Sequence, residues 1–447
     1  MKKVLLVYLP FCTPASPPYS LVNMHSFLSH NCKDSIEVLD LNAKYHALEF
    51  PAYQDFFKDA GKWKDYEDTA KGYMAITTKN YAQNNLKIRK RGKPDHFDAL
   101  LKSIKDKKPD IVAFSIVYSS QAFYASAIID ALEDVETIVG GPAVNHALIT
   151  KATHYLKNEV ELLEFLKGKK MNPKELNLDF SLDFSCLSLN EYFIPMPVIP
   201  IKTSSTCYHK KCTFCAHYSK VPYVEYPIGL IEKTIKDSGQ KHFFLIDDMI
   251  PVPRLLELAS MLRPLSVKWG CQLRPTKEFT ASVLRTLHDS GLMFVIWGVE
   301  SGVDRILKLM KKGTNTADVE RVLNDSHDAG IKNVTYIMFG FPTETKEEFR
   351  QTIEFLKRND RAIDLISPST FGLQAGTPAF ENPSEFGITR ITEHPRELLG
   401  PKIEYELSSG LTHEEAKEMR DKFKRSINNI NKYPKAMNFF REHMFFA

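Results

Sequence analysis

The segment Thr206-Cys207-Tyr208-His209-Lys210-Lys211-Cys212-Thr213-Phe214-Cys215 holds three cysteines spaced Cys-x4-Cys-x2-Cys. Thiolates this close on one short loop can converge on a single metal centre. Three readings follow. Plain structural thiols would be a coincidence of spacing. A structural zinc, completed by His209 or His217, wants four protein ligands and usually a second cysteine pair downstream. The next cysteine is Cys271, alone. A 4Fe-4S cluster on three thiolates leaves one iron open, and an open iron is what chemistry at a cluster needs.

The elements around the loop have the pattern of a parallel sheet. Tyr192 to Ile201 is apolar and rich in β-formers, so the cysteines follow a strand. Downstream, strands end at Asp247-Asp248, at Arg274-Pro275, at Gly298-Val299-Glu300-Ser301 and at Met338-Phe339-Gly340, with a last strand over 364–373. Helical periodicity fills the intervals, giving six β/α steps. Upstream, Val4 to Leu9, Ile36 to Leu41, Ile111 to Ile116 and Glu136 to Val139 read as buried strands alternating with helices. That pattern predicts a doubly wound sheet, which binds ligands beyond its strands' carboxyl ends. Residues 44–108 are polar, aromatic and mostly helical in pattern. Thr412 and Glu415 form a capping box opening a helix that runs to Ile430.

Composition narrows the class. The 447 residues allow two or three domains, and the 43% hydrophobic fraction is that of a globular protein. A net charge of +4 gives no strong nucleic-acid signal. Seven scattered cysteines exclude a disulfide framework, and no apolar run is long enough to span a membrane. The expectation is a cytoplasmic protein with neither a nucleic-acid nor a membrane partner.

The cysteine loop resembles the signature of the radical S-adenosylmethionine (SAM) enzymes, whose common spacing is Cys-x3-Cys-x2-Cys with an aromatic before the last cysteine. Phe214 fits that place; the chain departs by one extra residue. The N-terminal pattern resembles the cobalamin-binding domain found in one branch of that family. It rests on the Pro10 loop, the Pro109-Asp110-Ile111-Val112-Ala113-Phe114-Ser115 strand and the Gly140-Gly141-Pro142 turn. The resemblance implies an α/β fold: a doubly wound cobalamin-binding domain (1–165), a linker (166–198), a partial (β/α)6 radical SAM barrel (199–385) and a helical C-terminal region (386–447).

It further implies a site. Cys207, Cys212 and Cys215 would hold the 4Fe-4S cluster. Phe214, Asp247, Asp248, Arg274, Gly298, Glu300, Ser301, Met338 and Gly340 would contact SAM. Arg274 could instead pair with a substrate carboxylate. Pro10, Ser115, Tyr118, Ser119, Gly140, Gly141 and Pro142 would face cobalamin. The implied reaction is reductive cleavage of SAM to a 5′-deoxyadenosyl radical, then methylation of an unactivated carbon from methylcobalamin. A reductase, flavodoxin or ferredoxin would supply the electron, and the substrate is a small molecule or a peptide. Two alternatives stand: a non-methylating cyclisation or rearrangement on the same architecture, and a zinc-stabilised binding protein without catalysis. The aromatic tail, 437–447, packs on the barrel or closes its cavity.

Overall fold

A computed structural model describes residues 1–216 and 221–447. The chain divides into two compact units: Met1–Pro200 with Gly229–Gln240 and Pro395–Gly400, and Ile201–Ile228 with Lys241–His394 and Pro401–Ala447.

The first unit is built on a five-stranded parallel sheet. Its strands are β1 (Lys3–Tyr8), β2 (Ser35–Asp40), β3 (Ile111–Ser115), β4 (Glu136–Gly140) and β5 (His154–Tyr155), in the order β2-β1-β3-β4-β5. β1 and β3 are buried on both faces, as their unbroken apolar runs require. Residues 41–105 form helices between β2 and β3, including the long Tyr66–Arg89. They were legible as helical but not as a packing unit, because their buried face is aromatic and polar: Tyr45, His46, Tyr66, Tyr73, Asn80 and Asn84. Phe11, just past β1, meets this face. Its ring lies 4.8 Å from Tyr45, 5.5 Å from Tyr81 and 5.8 Å from both His46 and Tyr124.

The second sheet has six strands in the order β11-β10-β9-β8-β7-β6. They are β6 (Val198–Ile201), β7 (His242–Leu245), β8 (Lys268–Leu273), β9 (Leu292–Glu300), β10 (Lys332–Phe339) and β11 (Leu365–Thr370). β7 to β11 pair in parallel. β6 is shorter than the apolar run predicted. Pro195 and Pro197 remove ladder donors, so Tyr192, Phe193 and Ile194 are buried as core without joining the strand.

Two parts of the C-terminal region differ from expectation. Ile388–Arg396 and Leu399–Leu407 pair as a two-stranded ribbon, β12 and β13. Charges stand on both of its faces, so no alternation announced it. The predicted helix starts at the Thr412/Glu415 capping box but ends at Lys422, and Lys424–Asn428 continues separately. The tail packs on the barrel at its strands' N-terminal ends, away from the cysteines. Phe445 lies 4.9 Å from Phe294 near the start of β9, and Phe446 lies 4.9 Å from His242 at the start of β7. The outer edge of β11 is also covered: Ile366 N–H donates to Asn431 (2.8 Å), and Asn438 donates to the Ile366 carbonyl (2.8 Å). Among the described residues no helix is long and apolar enough to cross a membrane.

Candidate active site

The cysteine loop leaves β6 and is tied at three levels. Below it, Asp247 at the end of β7 is fully buried and accepts hydrogen bonds from Thr203 N–H (2.9 Å), Thr203 Oγ1 (3.1 Å) and Ser204 Oγ (2.6 Å). Burial nevertheless raises its pKa. Midway, Ser204 bridges Glu225 and Ser205 N–H bonds the Val224 carbonyl (2.9 Å). Above, Thr213 N–H donates to Met310 (3.0 Å) and the Thr213 carbonyl accepts from Ala379 N–H (3.0 Å).

Cys207, Cys212 and Cys215 line one cavity of about 230 Å³. Phe214, Asp248, Gly298 and Glu300, all expected there, line it as well. Lys312, Tyr336, Gln272 and Met249 complete much of the wall. Asp247, Arg274, Ser301, Met338 and Gly340 lie outside the lining. Asp247 ties β6 to β7, and Ser301 is buried against Thr352. Gly340, at φ +73°, leaves room for Ala416, which would stand 2.5 Å from an added Cβ. Its N–H donates to the buried carboxyl of Glu344, which burial pushes up to about 8.

Glu300 reaches the cavity by a local irregularity. The β9–β10 ladder pairs Tyr336 with Gly298 but Ile337 with Glu300, so Val299 is an extra residue in β9. Glu300 then takes φ +68°. Such a bulge re-aims a side chain at a strand end. Glu300 accepts from Lys312 Nζ at 2.7 Å, and the two side chains are only 10% and 6% exposed. Gly298 leaves space for this pair: an added Cβ would stand 2.7 Å from Lys312 Nζ and 2.9 Å from Glu300 Oε1. Burial alone would lower Lys312, but Glu300 and the thiols of Cys212 and Cys215 outweigh it and hold the ammonium above its ordinary pKa. Sequence reading missed Lys312 because it follows a helical stretch instead of closing a strand. Its one signal was a lysine twelve residues after Glu300, beside Gly313.

The donor set fits a thiolate-held cluster. The Cys215 thiol donates to Cys212, and this bond first, then His209 and Lys312, pushes Cys212 well below the ordinary thiol range despite its burial. A thiolate beside a buried ammonium is the electrostatics an anionic iron–sulfur centre needs. Among the described residues no group of three or more His, Cys, Asp or Glu is gathered tightly enough for a single metal ion. His209 donates through Nε2 to the Lys311 carbonyl (2.9 Å), and His217 lies outside the described residues.

In the first unit, the residues expected to face cobalamin divide. Tyr118, Ser119 and Pro142 are exposed and Gly140 and Gly141 half-exposed, at the carboxyl ends of β3 and β4. Pro10 and Ser115 are buried, the latter bonded to Ser20 Oγ at 2.8 Å. An added Cβ on Gly141 (φ +115°) would meet the Ile116 carbonyl oxygen at 2.4 Å, so the low relief of this rim is set by the backbone itself.

Residues 201–356 match the Radical SAM superfamily. That family works with a 4Fe-4S cluster and SAM. The tRNA-2-methylthio-N(6)-dimethylallyladenosine synthase of Buchnera aphidicola subsp. Schizaphis graminum is 24% identical over 67% of this chain and 69% of its own length. The ribosomal protein uS12 methylthiotransferase RimO of Synechococcus sp. is 21% identical over 79% of this chain and 72% of its own. A second such synthase, from Actinobacillus succinogenes, is matched over only 51% of its length. Among solved structures, the cobalamin-dependent radical enzyme OxsB with aqua-cobalamin bound superposes with a TM-score of 0.60 at 16% identity, covering 100% of this chain and 71% of that one. The methyltransferase TsrM from Kitasatospora setae, with cobalamin and a [4Fe-4S] cluster bound, gives 0.60 at 16%, covering 90% and 82%. The radical SAM fold of this chain, with its N-terminal sheet, is therefore the fold of the cobalamin-dependent enzymes.

Proposed function

We propose that this chain is a cobalamin-dependent radical SAM enzyme that methylates an unactivated carbon. The observation that carries the reading is one cavity, at the carboxyl ends of parallel strands, lined by three thiols of a single loop with Lys312 and Glu300 beside them. Cys207, Cys212 and Cys215 would hold the cluster, which would supply the electron for reductive cleavage of SAM to methionine and a 5′-deoxyadenosyl radical. Asp248 and the Lys312–Glu300 pair give the wall both signs of charge, suited to a zwitterionic amino acid end. Phe214 and Tyr336 offer ring surface. Tyr118, Ser119, Gly140, Gly141 and Pro142, at the β3 and β4 ends of the first sheet, would hold cobalamin, which would supply the methyl group. A flavodoxin, ferredoxin or reductase provides the electron.

The named activity of the curated relatives supports a second reading, transfer of a methylthio group. Sulfur insertion needs a sulfur source. The four cysteines outside the loop, Cys12, Cys32, Cys186 and Cys271, are separate, and burial raises each of their thiols. They offer no second ligand set among the described residues, so methylation is preferred.

Anaerobic reconstitution with iron, sulfide and hydroxocobalamin tests the proposal. About four irons and one cobalt per chain are expected. Reduction with SAM present should then release 5′-deoxyadenosine, and turnover with substrate should add S-adenosylhomocysteine. Iron without cobalt would remove the methyl-transfer step. Zinc without iron would remove the radical chemistry, and a product that gains sulfur would replace methylation by the second reading.

A further inference from the structure

The Cys-x4-Cys spacing places four residues where three are common, and the extra length is absorbed at a definite point. Lys210 adopts φ +48°, a left-handed turn that reverses the chain. The turn sends His209 inward. His209 Nε2 lies 2.9 Å from the Lys311 carbonyl, which can only accept. Arg274 Nη1 lies 2.7 Å from His209 Nδ1 and 3.0 Å from Nε2, so the guanidinium is held against the imidazole. The same Nη1 donates to the Lys312 carbonyl at 2.8 Å, and Nη2 donates to Tyr208 Oη at 3.2 Å.

The guanidinium is buried, 7% exposed, and forms no ion pair with a carboxylate among the described residues. It lies over the Tyr208 ring, 5.8 Å from the centroid. Gly313 completes the fit at φ +68°: an added Cβ would stand 2.5 Å from Arg274 Nη1 and 3.0 Å from His209 Cε1. One planar fork thus ties Tyr208 and His209, both between the first two cysteines, to the backbone of 311–313.

We propose that Arg274 is the positioning residue of the cysteine loop, clamping the enlarged Tyr208-His209 turn against Lys311–Gly313 so that Cys207 and Cys212 face one cluster. The proposal rests on the reading of the three cysteines as cluster ligands. It assigns Arg274 to the protein side of the site, where three differently placed partners explain an arginine. A lysine has one point of charge on a flexible stem and cannot reach all three in a fixed plane.

The test uses the reconstituted full chain and its Arg274→Met, Arg274→Lys and His209→Ala variants, with a chelator challenge followed by absorbance and iron analysis. Partners that orient a metal ligand change metal retention by about 10- to 100-fold. Arg274→Met should lose its cluster at least about tenfold faster than the parent, with thermal unfolding of the apo chain little changed and the electron paramagnetic resonance spectrum of the reduced cluster altered. Arg274→Lys should not rescue it. His209→Ala should match Arg274→Met, and the double variant should be no worse than either, because both break one clamp. Deleting Lys210, which restores three residues between the cysteines, should shrink the Arg274→Met effect to under about twofold. Parent-like retention and spectrum in Arg274→Met would overturn the clamp, as would multiplying effects in the double variant. If the parent itself takes up no iron, the cluster reading falls instead, so the two failures are distinct.

Discussion

Both sheets expose carboxyl ends, where parallel α/β proteins bind ligands, yet they treat that space differently. Over β1 of the first sheet the space is filled by the protein: Phe11 packs into Tyr45, His46, Tyr81 and Tyr124. Only the β3 and β4 ends stay low and accessible. In the second sheet the space is kept open and lined with thiols and a buried ion pair. The comparison teaches that strand order gives a place for a site, whereas the side chains at each strand end decide whether it is packed or left for a ligand. It also separates the two units energetically. Buried polarity in the first is largely neutral and aromatic; in the second it is charged.

The sharpest test of that contrast is Cys212→Ala. It should abolish cluster retention and lower SAM cleavage by more than about a thousandfold, measured as 5′-deoxyadenosine released under dithionite. An unchanged iron content would break the ligand assignment. Next is Lys312→Met, which strands Glu300 in a buried site and should cost the second unit about 3–5 kcal/mol. The buried Trp269 and Trp297 report that unfolding in urea, and adding Glu300→Leu should recover much of the loss.

Two buried groups, one in each unit, should also answer pH with opposite signs. Glu344 is raised from 4.5 to about 8 by burial, so the native state holds a proton the unfolded chain has lost. Its stabilisation is present below pH 4.5 and is lost as pH rises toward 8. Glu344→Gln should remove about 3 kcal/mol of the decline between pH 5 and 7. Smallest is His46 in the first unit, fully buried and lowered from 6.5 to about 3 by desolvation. Its stabilisation is present above pH 6.5 and is lost as pH falls toward 3. His46→Phe should abolish about 2 kcal/mol of the loss between pH 7 and 5. Asp40, raised to about 6 by burial, works the other way in the same unit, so the His46 effect is read as the difference between variant and parent. A pH response unchanged in both Glu344→Gln and His46→Phe would erase the contrast.

Much of this was legible in the sequence, for physical reasons. Buried parallel strands are continuous apolar runs, so β1, β3, β7, β9 and β10 announced themselves. The cysteines, Phe214, Asp248, Gly298 and Glu300 were legible because each stands at a strand end. What escaped depended on three-dimensional neighbours. Lys312 becomes a wall residue only through the bulge that turns Glu300 toward it. Asp247 looked equivalent to Asp248, but just past β7 one is turned into the loop's foundation and the other into the cavity. The β12–β13 ribbon carried no alternating pattern, and the prolines before Val198 shortened β6 without disturbing its hydrophobicity.

The side-chain amides over β11 have a consequence for self-association. A partial barrel ends in a strand whose outer backbone groups could recruit a strand from another molecule. Asn431 and Asn438 occupy the N–H and carbonyl of Ile366, the place where such a strand would begin to pair. The segment after the ribbon thus acts as an internal chain terminator. Replacing both asparagines with alanine should leave the cavity intact and turn a non-polymerising surface into a seed for ordered aggregates, visible as growth in light scattering.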